Sequence, residues 1–85
     1  MAITKKIDMT GAFLPVAGPG GMVTFTAPAA PLHWVLTNSL TPSTMTVGHI
    51  AFSGVDTSLK LGNGEYLQLH GGAGAAVAVT AENEV

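Results

Sequence analysis

Apolar side chains in this sequence recur at every second position, in short runs that each stop at proline, glycine or a cluster of hydroxyl residues. In Met22-Val23-Thr24-Phe25-Thr26, Val23 and Phe25 fall on one face and the threonines on the other. Leu32-His33-Trp34-Val35-Leu36-Thr37 brings Leu32, Trp34 and Leu36 together, and Glu65-Tyr66-Leu67-Gln68-Leu69 does the same for Leu67 and Leu69. Residues 75–80 supply a last run with Val77 and Val79. Within residues 44–52 the apolar set moves from Met45 and Val47 to Ile50 and Phe52, a change of parity that a bulge at Gly48 would produce. A period of two is the side-chain period of a strand. No stretch of eleven or more residues carries the three-and-four spacing of an amphipathic helix.

Turn chemistry separates the runs. Ala27-Pro28-Ala29-Ala30-Pro31 cannot continue a ladder, because proline lacks the N–H. Gly62-Asn63-Gly64 tolerates positive φ and forms a tight turn. Six short strands at this spacing predict an all-β fold, a small antiparallel β-sandwich or jelly-roll-like barrel. Residues 22–85 make up the sandwich. Residues 1–21 read differently, because 11–21 are rich in breakers yet carry Phe13, Leu14 and Val16. They are expected to form an extended N-terminal arm, with an edge strand around Ile7 and Met9, whose apolar residues pack on a neighbouring subunit.

Composition then says what such a sandwich needs. Eighty-five residues allow one small domain, and a compact monomer of this mass exposes about 4,700 Å². Chains this small lean on disulfides, metals or association, and cysteine is absent. Charged residues make up 9% of the chain, against about 25% in an ordinary soluble domain, while apolar residues reach 47%. Association is the expected remedy. Lys5, Lys6 and Lys60 are the whole basic complement, too few and too scattered to neutralise a phosphate backbone, so no nucleic-acid partner is expected. The longest apolar runs fall far short of the ~20 residues of a spanning helix, so no membrane partner is expected either. A secretory signal is not expected, because Asp8 and Pro15 interrupt the one segment that imitates it.

Catalytic and metal patterns are weak. His33, His49 and His70 have no ligand spacing among them and no cysteine to join them, so they are expected at strand positions facing solvent or a neighbour. Asp56-Thr57-Ser58 shares two residues with an aspartic-protease triplet and departs at the third. It reads as a turn with Asp56 bonding its own backbone. The five acids give no pair by spacing. The glycine-rich stretches at 18–21 and 71–74 precede no helix and cradle no phosphate. No enzyme activity and no cofactor are expected. Trp34 lies in the most apolar run and reads as a core residue. Tyr66 has the opposite parity to Leu67 and Leu69 and reads as exposed or interfacial. The expected assembly interface is therefore Ile3, Ile7, Met9, Phe13, Leu14, Val16 and Tyr66.

The second half of the chain also carries a resemblance. Trp34-Val35-Leu36-Thr37-Asn38, then Met45-Thr46-Val47-Gly48, then Leu59-x-Leu61-Gly62-x-Gly64-Glu65-x-Leu67-x-Leu69, then Ala76-Val77-Ala78-Val79-Thr80 follow one another. Over residues 32–80 this resembles the small β-sandwich virion proteins of tailed bacteriophages, most of all capsid decoration (cement) proteins. The resemblance implies a structural protein on the capsid exterior, made in the host cytoplasm. It implies a homotrimer that ties capsomers together, with itself and the major capsid protein as partners. The alternative is a glycan- or host-binding module of a phage fibre, neck or tail. Loops 39–43 and 53–58 hold one acid and no aromatic residue between them, which favours decoration.

Overall fold

A computed structural model describes residues 2–28, 32–44 and 48–85. Eight strands run through the described residues: β1 (Ile3–Asp8), β2 (Leu14–Ala17), β3 (Gly21–Thr26), β4 (Leu32–Thr37), β5 (His49–Ala51), β6 (Asp56–Leu61), β7 (Tyr66–His70) and β8 (Ala76–Ala81). They form two antiparallel sheets of four, ordered β1-β8-β3-β6 and β2-β7-β4-β5, which pack face to face as a small β-sandwich. The exposed area of 4709 Å² matches that of a compact chain of this mass. Exposed apolar residues therefore do not come from a loose fold.

Alternation builds the core. From the first sheet, Val23, Phe25, Leu61, Val77, Val79 and Ala81 point inward; from the second come Val16, Ala17, Leu32, Ala51, Leu67 and Leu69. Phe25, Leu32, Leu67, Leu69 and Val77 have no exposed surface at all. Burying one such side chain contributes about 1.5–3 kcal/mol. The opposite face of the first sheet is wet. There Thr4 pairs with Thr80 at 2.6 Å, and Thr24 with Ser58 at 2.9 Å, so cross-strand hydroxyls satisfy one another where the face meets water. The β6–β7 turn falls at residues 62–65, with Gly64 at φ 80° and the Glu65 N–H donating to the Gly62 carbonyl at 3.0 Å.

Two expectations change. Residues 3–17 are not an extended arm. β1 pairs with β8 over its whole length, and β2 pairs with β7, so the segment supplies one edge of each sheet. The connection into β3 is held by the C-terminal residues: the Gly18 N–H donates to the Asn83 carbonyl at 3.0 Å, and Asn83 Nδ2 donates to the Pro19 carbonyl at 2.8 Å. The second change concerns residues 56–61, where Asp56-Thr57-Ser58 was expected to turn. They form β6, in register with β3 from Asp56 opposite Thr26 to Leu61 opposite Gly21, and Asp56 accepts a hydrogen bond from the Thr26 hydroxyl. The parity change before Gly48, with Met45 and Val47, lies outside the described residues, as do Met1 and residues 29–31 of the proline turn.

Candidate interaction surface

Charge is segregated between the two sheets. Lys5, Lys6 and Asp8 lie on β1, and Asp56 and Lys60 on β6; Glu65, Glu82 and Glu84 sit just outside strands. The strands β2, β4, β5 and β7 contain no Asp, Glu, Lys or Arg. The second sheet is therefore a neutral layer whose ionisable groups are His33, His49, His70 and Tyr66.

Its outer face is partly roofed by the chain itself. Gln68, between the core residues Leu67 and Leu69, must point outward by strand alternation, yet it is fully buried. Residues 39–43, which follow β4, fold over it. The Ser43 N–H donates to Gln68 Oε1 at 2.7 Å, and Gln68 Nε2 donates to the Thr41 carbonyl at 2.9 Å and to Thr37 Oγ1 at 3.1 Å. One side-chain amide thus satisfies backbone groups of Thr41 and Ser43, which lie outside the strands. Beside this roof a row of rings crosses the sheet. Phe13 lies 5.1 Å from the His70 ring, and His70 lies 6.0 Å from His33 in edge-on contact. His33 is in turn opposite Ile50 on β5.

On the β5 side of the inner face, Trp34, Leu36 and His49 share the parity of the core residues Leu67 and Leu69. Trp34 stacks on His49 at a centroid distance of 4.5 Å, and Trp34, Val35, Leu36 and His49 line a cleft of about 300 Å³. Trp34, expected in the core, packs against it but is only half-buried. Past the cleft, Ile50, Phe52 and Val55 are 54, 69 and 54% exposed. Val55 N–H donates to the Phe52 carbonyl at 3.2 Å, and Gly54 N–H to the Ala27 carbonyl at 3.2 Å, so this exposed stretch has a fixed turn.

The four sheet edges differ in how they meet solvent. An open strand edge is a template for pairing with another chain, and charge, proline or a bulge normally blunts it. β1 carries Lys5, in a 2.5 Å ion pair with Glu84, together with Lys6 and Asp8. β2 carries Pro15 and a register shift between Pro15 and Ala17. β6 carries Asp56 and Lys60. β5 has none of these devices, its shortness aside.

The residues expected to form the interface are distributed otherwise. Met9 and Val16 are buried in this chain's own core, and Phe13 is buried against the His70 ring. Ile7 and Leu14 are half-buried against the core. Tyr66 is half-buried, its ring so near the β2–β3 connection that a Cβ on Gly18 would lie 2.9 Å from its Cδ1. Of the seven, Ile3 is open, at 47%. Sequence reasoning missed Ile50, Phe52 and Val55 as surface residues. The available signal was the absence of any Asp, Glu, Lys or Arg between Asp8 and Asp56.

Among the described residues no group of three His, Cys, Asp or Glu side chains is placed to hold a metal ion. No helix there is long and apolar enough to cross a membrane. Comparison with protein-family models, curated proteins and solved structures finds no match to this chain.

Proposed function

We propose that this protein is a structural module that works by association, as a decoration protein on the exterior of a phage capsid. In this reading it assembles as a homotrimer and bridges capsomers through contacts with the major capsid protein. The observation that carries the associating part is the segregation of charge: one sheet presents a wet, hydroxyl-rich face and the other is neutral and partly apolar. A neutral layer of this kind loses little on desolvation and gains from burial. The virion setting comes from the resemblance of residues 32–80. Its mechanism is passive, since each bound copy adds buried area across a capsomer boundary that expansion must break.

Light scattering on the eluting protein at micromolar concentration tests association, and a stable monomer removes it. Cryo-electron microscopy of intact particles tests the location. Density for a body of 29 × 26 × 18 Å at capsomer boundaries supports decoration; density at a fibre, neck or tail instead removes it.

A second reading, a glycan- or host-binding module, is favoured by one feature, the open cleft where Trp34 stacks on His49. Aromatic faces are platforms for sugar rings. Trp34 is the sole tryptophan, so its fluorescence, titrated with host polysaccharide, reports on that cleft alone. A saturable change supports the second reading, and an unchanged spectrum discards it.

A further inference from the structure

We infer that the stretch around β5, with Ile50, Phe52 and Val55 at its centre, is the surface on which copies of this chain meet, each covered by the same stretch of a neighbouring copy. The inference rests on the association reading above and gives it an address, on the opposite side of the second sheet from the β2 edge where Leu14 and Val16 lie.

Three observations converge. The first is the contrast between edges. Two of the other three hold ionic side chains and the third holds a proline and a register shift. β5 and the turn after it contain no Asp, Glu, Lys or Arg until Asp56. An occupant must therefore be uncharged as well, since a lone charge laid on this surface would be desolvated without a partner. Among the described sheet edges, this stretch combines exposed apolar side chains with no ionic residue, so a second copy of it is itself an uncharged, apolar occupant.

The second is area. The three residues at 54, 69 and 54% exposure leave roughly 350 Å² open, backbone included, on the scale of the largest apolar patch of a small protein. It approaches half of the ~800 Å² that each partner gives to a standard interface. The exposed Ser53 and Gly54, between Phe52 and Val55, extend the footprint.

The third is rigidity. The turn at residues 52–55 is fixed by its own Val55–Phe52 hydrogen bond and by the bond from Gly54 to Ala27, and Ser53 bridges to Ala27. Phe52 is thus presented on an ordered support and loses little freedom on docking. β5 is three residues long, too short for ladder pairing to dominate. Side-chain burial centred on Phe52 carries the contact, and such a cluster can form about a two-fold or a three-fold axis.

The test measures sedimentation equilibrium of the full chain from about 5 µM to 500 µM. It is run beside Phe52→Ser, Ile50→Thr and, as controls on the exposed part of the first sheet, Met22→Thr and Ile3→Thr. Amide hydrogen exchange of the unmodified protein at both concentration limits locates the contact without any substitution. The expected result is self-association weakened at least tenfold by Phe52→Ser and Ile50→Thr and unchanged in the controls, with exchange slowed at residues 49–55 at high concentration. Association that persists in both β5 variants, with protection elsewhere, overturns the address and leaves the association reading standing. A chain that stays monomeric throughout overturns both.

Discussion

Gln68 concentrates in one side chain the problem of holding a non-ladder segment against a sheet. Fully buried and bonded to Ser43, Thr41 and Thr37, it ties residues 41–43 to the sheet. Truncation to alanine leaves a void and frees those groups, at a cost of about 1–3 kcal/mol. Urea denaturation of Gln68→Ala measures it, and faster amide exchange at residues 39–43 shows that this segment has lifted. Gln68→Glu is nearly isosteric but exchanges the donor for a second acceptor. Burial raises its folded carboxyl pKa above the ordinary ~4.3. The folded state then binds the proton more tightly than the unfolded state, so this variant is most stable below about pH 4 and loses stability as pH rises above it. The wild type shows no such slope from this position. Denaturation midpoints at pH 4 and pH 7 check the sign.

At the scale of elements, the sandwich depends on close approach where its two halves meet. A Cβ on Gly71 would lie 2.8 Å from Leu32 Cδ2 and 2.9 Å from Met9 Cγ. Both side chains are themselves buried and have little room to yield. Gly71→Ala therefore costs about 1–3 kcal/mol by overpacking, read as a lower urea midpoint with an unchanged slope. The charged edge β1 behaves in the opposite way. Lys5 pairs with Glu84 near the surface, an arrangement worth at most about 1 kcal/mol. Replacing Lys5 and Lys6 together by threonine thus leaves the melting temperature nearly unchanged but leaves Asp8 as the one ionic side chain on that edge. Turbidity on prolonged incubation rises in that variant while its thermal midpoint does not.

The molecule as a whole has one wet face and one neutral flank, and association linked to folding makes its stability depend on concentration. Once the chain is above its dissociation constant, each tenfold rise in concentration should raise the melting temperature by about 3–6 °C for a chain of this size. Scanning calorimetry over two decades of concentration checks this; a constant midpoint means a monomer. A neutral, apolar contact should also be little weakened by sodium chloride and strengthened by sulfate.

Much of this was legible from the residues in order. Val23 and Phe25, Leu67 and Leu69, Val77 and Val79 share inward faces because strand alternation is a local rule that needs no knowledge of neighbours. The turn at Gly62-Asn63-Gly64 is local chemistry as well. β6 was hidden because Asp56, Thr57 and Ser58 are turn formers in isolation, and only pairing with β3 makes their alternation into a strand. β2 was hidden because Pro15 and the register shift break its period. For the surface, sequence alone established that a chain so poor in charge needs cover. Which residues lack it was decided in three dimensions. Phe13 and Val16 in the breaker-rich start, and Phe52 near the middle, look alike as letters. Phe13 is closed in against His70 of β7 and Val16 in the core, while Phe52 lies in the turn after the edge strand β5 and stays 69% exposed.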